Sequence, residues 1–581
     1  MYSSRMMRKW FSLLVRVALL ASVAVGQNNN QSRSFRHTVE RGMTLYSISK
    51  MYDTTVEEIK RLNPGLTENI SEGQVIEIPQ NRVSQFETKE AYTYHTIAPK
   101  ETLYSVSRLY NLKPDDLIGA NSGLSVETFQ IGKTIRIPAN VVREPEMILQ
   151  VRNEYHKVKR GETLFSISQR YGVPVFEIEQ ANNITSDRLK TNMELVIPVK
   201  KLVEVKSRMS EVDADRLLSQ VQPNVRADVM KVGLLLPFLD KTENQHLRLQ
   251  EYYEGFLMAV DKLKQRGANI EVYVFEIGTK AKLESLLGTM EMQQLHLLIG
   301  GMTDDQIKTL SEFSKKNNVK YVVPFSSRNN EVLNNDKIFQ VNTPHMYLYS
   351  KASGVFVQEF RNRNVVLVEV PGANDKDDFI SILKSDLGKN NIKYSTVRLT
   401  DDLSEEVLPM LSMDNENIIV PTSGTSQSLK DLMNELAEVA QTSSGVTMRL
   451  FGYPEWQTFG HDVTQLMHTF GTYFYSSFYV DNSDAKVREF MADFKKWYGR
   501  DLIVTFPKYG LFGYDTGLFF LTAMHRFGVN FESRVGDVTC DNLQFAFNFE
   551  RVNNWGGFIN TGLFLVHYDA NKNIYKTDKS R

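Results

Sequence analysis

The chain has 581 residues, of which 42% are hydrophobic and 24% charged, with a formal net charge of −1 and one cysteine. These figures exclude collagen-like, disordered and disulfide-scaffold classes, and they lack the basic bias that a nucleic-acid binder shows. At roughly 150 residues per domain, the length predicts about three to five folded units.

Residues 1–26 read as an export signal. Arg5, Arg8, Lys9 and Arg16 make a basic start, Val17 to Val25 is a short apolar run, and Ala24-Val25-Gly26 offers a small-x-small cleavage pattern. The run is too short to span a membrane and no cysteine follows it, so neither a transmembrane nor a lipid anchor is expected. Cys540 has no partner for an internal disulfide, and its neighbours supply no histidine base, so a small buried residue is the expectation there.

One pattern then occurs three times, opening with HTVERGMTLYSIS at His37, HTIAPKETLYSVS at His95 and HKVKRGETLFSIS at His156, and closing on IP at Pro79, Pro138 and Pro198. Each copy predicts a small βααβ unit. Thr44, Thr102 and Thr163 stand where a helix N-cap belongs, and Leu45, Ile48 and Tyr52, repeated as Leu103, Val106, Tyr110 and Leu164, Ile167, Tyr171, make one apolar helix face. Thr55 and Glu58 form a capping box for the second helix, which should end at Asn63, with Asn121 and Asn182 equivalent, as left-handed C-caps. The histidines belong to separate modules joined by linkers, so no shared metal site is expected.

The ordered GxTL loop, I-S or V-S pair, helix-ending Tyr, later Asn and terminal IP resemble the LysM family, whose modules bind N-acetylglucosamine-containing glycans of peptidoglycan or chitin. The resemblance implies a shallow groove between the loop before the first helix and the loop before the last strand. It falls on Gly42, Met43, Thr44, Leu45, Glu68, Asn69 and Ile70 in the first copy, and on Gly161, Glu162, Thr163, Leu164, Thr185, Ser186 and Asp187 in the third. In the second copy it falls on Thr102 and Leu103. There Pro99-Lys100 replaces Arg-Gly, which costs energy if the turn needs positive φ and puts that groove in doubt. Tandem modules on flexible linkers can raise avidity by roughly 10² to 10⁴ over one site.

Residues 200–229 read as a charged linker, and a different periodicity follows. Val232 to Pro237, Ile270 to Phe275, His296 to Ile299, Lys320 to Val323, Val365 to Val368, Ile418 to Val420 and Met448 to Phe451 are short apolar strands. Helical stretches separate them, which predicts a two-lobed α/β domain with parallel sheets over residues 230–569, followed by a tail, 570–581. The order LLLPF, YEGFLMAVDKLKQRG, LLIGG, VVPFSS, IFQVNTP and FGYD resembles the type I periplasmic-binding-protein family. That resemblance implies a ligand at the carboxyl ends of strands between lobes, and Phe238, Gly300, Gly301, Ser326, Ser327, Thr422, Ser423 and Glu455 match those loops. The family's first loop is small and Gly/Ser-rich, whereas FLDKTENQHLRLQ is bulky and polar; Tyr514 and Asp515 match a structural motif.

No HExxH, GxSxG, P-loop or GxGxxG is present, and neither a catalytic constellation nor a cofactor is expected. The chain therefore reads as multidomain α+β and α/β: three LysM modules (36–80, 94–139, 155–199), then the two-lobed domain. The expected function is a non-enzymatic periplasmic protein of a Gram-negative bacterium. It would be anchored to peptidoglycan and present a domain that senses a small ligand or docks a cell-wall enzyme. Regulation of peptidoglycan synthases or hydrolases, and peptidoglycan hydrolysis itself, are the alternatives.

Overall fold

The computed structural model describes residues 34–80, 92–139, 147–204, 211–219, 225–239, 244–278, 280–443 and 445–580. The expected export signal lies outside the described residues. Each repeat is a two-stranded antiparallel ribbon with two helices between its strands. The strands are β1 (Ser34–Thr38) with β2 (Val75–Pro79), β3 (Tyr92–Thr96) with β4 (Thr134–Pro138), and β5 (Met147–Lys157) with β6 (Glu194–Glu204). Alternation along the closing strands sends Ile76 and Ile78, Ile135 and Ile137, or Leu195 and Ile197 inward, where they meet Leu45, Leu103 or Leu164.

Local capping follows the expectation at the helix starts. Thr44, Thr102 and Thr163 accept from the N–H groups of Ser47, Ser105 and Ser166 at 3.0, 3.1 and 3.1 Å, and each serine hydroxyl accepts back from the threonine N–H. The helix ends differ from the expectation. Asn63 and Asn121 have φ of −124° and −138°, so neither is a left-handed cap, and Asn182 is still helical. The asparagine side chain instead ties helix to strand. Asn121 Nδ2 donates to Leu117 O and Arg136 O, both at 2.8 Å, and its Oδ1 accepts from Arg136 N at 2.8 Å, with the same three bonds at Asn63 and Asn182.

The second part of the chain runs β7 (Met230–Leu236), β8 (Ile270–Glu276), β9 (Leu297–Gly300), β10 (Lys320–Val323) and β11 (Ile338–Gln340) in the first lobe. It then crosses to β12 (Asn364–Glu369), β13 (Tyr394–Arg398), β14 (Asn417–Pro421), β15 (Met448–Gly452) and β16 (Tyr473–Ser476) in the second. It returns for β17 (Phe549–Arg551) and β18 (Phe558–Asn560), and crosses again for β19 (Phe564–Tyr568) and β20 (Ile574–Asp578). The sheet orders are β17-β18-β11-β10-β9-β7-β8 and β13-β12-β14-β15-β16-β19-β20. The core strands pair in parallel as expected, and the antiparallel pairs β17–β18, β16–β19 and β19–β20 extend one side of each sheet, with short connections joining β17 to β18 and β19 to β20. The expected tail is corrected, since residues 574–578 form the edge strand β20. The linker region carries the end of β6 and a helix, Glu211–Leu218, which packs on the second repeat.

Two helices from distant sequence, Gln245–Gln265 and Tyr509–Phe527, pack tightly in the first lobe. A Cβ on Gly255 would lie 1.8 Å from Gly510 O, and one on Gly513 would lie 1.8 Å from Tyr252 O, so the glycines in YEGF and FGYD set the closeness of this crossing. Asp515, one helical turn from the crossing, is fully buried and accepts from the N–H groups of Leu543, Gln544 and Phe545 at 2.7, 2.7 and 2.8 Å.

Candidate glycan-binding site

The left-handed turn ahead of the first helix is kept in all three repeats, at Gly42 (φ 79°), Lys100 (φ 71°) and Gly161 (φ 88°). Lys100 therefore adopts the glycine conformation in spite of its Cβ, and the backbone shape of the second groove is retained. The turn before the closing strand repeats likewise, at Gly73, Gly132 and Asn192.

The histidine that opens each repeat has a structural task that sequence reasoning missed. His37, His95 and His156 bond through Nδ1 to the hydroxyls of Tyr52, Tyr110 and Tyr171 at 2.9, 3.0 and 3.1 Å. Through Nε2, His95 meets Glu101 at 2.7 Å and His156 meets Glu162 at 2.8 Å, whereas in the first repeat Met43 takes the place of the acid, with its Sδ 3.4 Å from His37 Nε2. The recurrence of His with Tyr fifteen positions later and an acid six positions later was the available signal. Burial, with Lys133 adding to it, lowers the His37 pKa to about 4. The Lys159 N–H first, then His156, hold the Glu162 carboxyl at about 2.

Several expected groove side chains are consequently engaged inside their own repeat. Thr44, Thr102 and Thr163 cap helices; Leu45, Leu103, Leu164 and Met43 are core; Glu162 serves the His156 network; Glu68 pairs with Lys60. What remains open is the backbone edge at Gly161 and the exposed loop Thr185, Ser186 and Asp187, although Ser186 bonds through its N–H and hydroxyl to Glu179. The aromatic that follows the groove leucine, Phe165, exposes 66% of its surface.

Gly42 and Asn69 of the first repeat face something else. Together with Glu40, Arg41, Thr44 and Glu68 they line a slot of about 110 Å³ whose far wall is the second lobe: Met346, Ser350, Asp378, Ser381, Ser385 and Lys389. Ile70 lines the same slot.

The interlobe candidates fall into two groups, one on each lobe. Gly300 ends β9 and Gly301 follows it, both with positive φ, and a Cβ on Gly300 would lie 2.0 Å from Leu235 O, so both answer to backbone geometry. Phe238 packs edge-on against Tyr253, Ser326 Oγ accepts from Arg328 N, and Ser327 is half-buried beside it. On the second lobe, Thr422 Oγ1 accepts from Val370 N at 2.9 Å, while Ser423, fully buried, bonds with Thr425 and Ser428. Glu455 pairs with Lys376 at 2.5 Å, and Lys376 lies 4.7 Å above the Tyr453 ring. Asp375 accepts from Gly424 N at 2.9 Å, and sequence reasoning missed both Asp375 and Lys376 because they lie in a loop without a motif. Among the described residues, no helix is long and apolar enough to cross a membrane.

Comparison with known proteins places these features. The LysM domain model matches residues 37–79, 95–138 and 156–198. The Bacillus subtilis protein named "Probable peptidoglycan endopeptidase LytE" is 26% identical over 164 residues, which is 27% of this chain and 49% of that protein. The N-acetylmuramoyl-L-alanine amidase sle1 of Staphylococcus epidermidis is 24% identical over 197 residues, 33% of this chain and 59% of that protein. The chain thus spans about half to three-fifths of these relatives. Among solved structures, an ABC transporter substrate-binding protein from Desulfitobacterium hafniense matches with a TM-score of 0.38 and 12% identity, covering 60% of this chain and 100% of that one. With three βααβ repeats each matched by the LysM model, residues 37–198 carry three LysM domains, and they precede an α/β domain in which the chain passes repeatedly between two mixed sheets.

Proposed function

We propose that this chain is a non-enzymatic, exported, cell-wall-associated protein that binds peptidoglycan glycan through its LysM domains and presents the two-lobed domain as a docking platform for a cell-wall enzyme, in the periplasm of a Gram-negative bacterium. The observation that carries this reading is the open groove of the third repeat. A left-handed glycine with nothing packed over it, an exposed facing loop and the exposed Phe165 leave this groove accessible, which suits an acetamido sugar. The same test decides anchoring: the full chain should sediment with purified sacculi and be displaced by N-acetylglucosamine oligomers, and a chain that stays in solution overturns it.

Docking is favoured over small-ligand sensing because Thr422, Ser423 and Glu455 already have internal partners, so an amino-acid ligand would have to break them. A thermal-shift screen with amino acids, peptides and muropeptides separates the two readings, since a ligand specific to the native state raises the melting temperature. Release of muropeptides from sacculi by the purified chain would instead establish hydrolysis.

A further inference from the structure

The three repeats do not stand in equivalent places. The third has a hydrophobic core of its own, built from Val158, Leu164, Ile167, Ile178, Leu195 and Ile197. The first shares one continuous core with the first lobe, in which Phe35, Leu45, Ile48 and Tyr52 join Leu333, Trp555 and Ile559. Its groove loop then reaches across to the second lobe. Arg41 Nη2 donates to Ser350 O in the helix His345–Glu359, which belongs to the core of that lobe through Leu348, Ala352 and Phe356.

Two glycines show that this contact is built into the sequence. A Cβ on Gly42 would stand 2.9 Å from the Tyr347 ring and 3.1 Å from Tyr347 Cα, so the turn that should cradle a sugar is packed against a helix. A Cβ on Gly354 would stand 2.3 Å from the Arg41 guanidinium, so this helix carries a glycine in its interior, where glycine is a poor helix former, at the point where Arg41 crosses it. In the third repeat, by contrast, nothing lies within 4 Å of a Cβ on Gly161. The aromatic after the groove leucine is exposed in both repeats, Tyr46 by 55% and Phe165 by 66%, and Tyr46 also accepts a hydrogen bond from Asn330 of the first lobe at 3.3 Å. A slot of about 110 Å³ is left beside the first groove, and its far wall is the second lobe.

We infer that the first LysM domain is an intramolecular docking module that straddles both lobes, with its groove occluded by the helix His345–Glu359, and that the third domain carries the glycan. The inference rests on the glycan-binding reading for its second half only. A long glycan that reached the first groove would have to detach Arg41 and Gly42 from the second lobe.

The test uses the full chain in two independent measurements. In a Cys540→Ser background, Gly42→Cys with Tyr347→Cys should form a disulfide on mild oxidation, because a Cβ on Gly42 would lie 3.1 Å from Tyr347 Cα, close enough for the two sulfurs to meet; absence of the cross-link in the folded protein overturns the docking. Calorimetry with penta-N-acetylchitopentaose should count fewer than three sites in the natural chain, one site fewer in Thr185→Trp, and one more in Arg41→Ala combined with Tyr347→Ala. Three sites in the natural chain, or an unchanged count in Thr185→Trp, overturns the division of labour. If the natural chain binds no oligosaccharide, the glycan reading falls, while the cross-link still decides the docking.

Discussion

Asn121 shows how a single side chain can fix the shape of a small module. Its amide makes three hydrogen bonds that bind the end of one helix to the middle of β4, and it is fully buried. Asn121→Leu should cost the second repeat about 2–4 kcal/mol, because two backbone carbonyls and one N–H lose their partner together, as chemical denaturation would show. The recurrence of asparagine at this place was legible, but its task was not. A left-handed cap and a cross-brace ask for the same residue type, and only the backbone angle separates them. Asp515 carries a pH prediction. Burial, only in part offset by three backbone donors, raises its carboxyl pKa to about 6 against an unfolded value of about 3.9. The folded state thus binds a proton more tightly than the unfolded one. This stability contribution is complete below about pH 4 and is lost as pH rises through 6, by roughly 2–3 kcal/mol. Asp515→Asn should remove that slope between pH 4 and 6 from the C-terminal domain's unfolding free energy, while lowering stability overall because an amide places its own N–H groups against backbone donors.

At the scale of elements, the helix pair Gln245–Gln265 and Tyr509–Phe527 makes the sharpest case. The glycines of YEGF and FGYD could be recognised as motif members, yet nothing in either segment says that each faces the other's backbone across more than 200 residues of sequence. Gly513→Ala should destabilise the first lobe by roughly 3 kcal/mol or more, since the clash is with a carbonyl and not with a side chain that can turn away. The thermal transition of that lobe would fall accordingly. The edge strand β20 was missed for a related reason: Ile574 to Asp578 is largely exposed and lacks an apolar run, and only pairing with β19 makes it a strand. The parallel core strands were legible because continuous apolar runs such as Leu234 to Leu236 occur where a sheet is covered on both faces.

On the scale of the whole molecule, cores that are shared should melt together and cores that are separate should not. The first LysM domain joins the first lobe in one apolar cluster, and the second is attached through Gly123 N donating to Asn554 O at 2.7 Å and Arg136 stacked 4.7 Å from Trp555. The second and third each have a core of their own, and the second is tied to the first lobe by those contacts. Calorimetry should therefore resolve a separate transition for the third domain, and Ile167→Ala should lower that transition alone by about 2–5 kcal/mol of stability. The picture of three equivalent modules on flexible linkers does not hold for the first two, which also meet each other through Lys133 and Glu40 at 2.5 Å.

By itself the sequence determined the three repeats, their caps and apolar stripes, and the alternation of strand and helix in the second part, because each of these depends on residues within a few positions of one another. The tertiary structure alone decided which groove is open. Gly42 and Gly161 occupy the same turn of the same motif, and the difference between them is a tyrosine ring brought from residue 347. Local spacing sets the shape of a site, whereas access to it depends on contacts between segments distant in the chain, which no repeat pattern records.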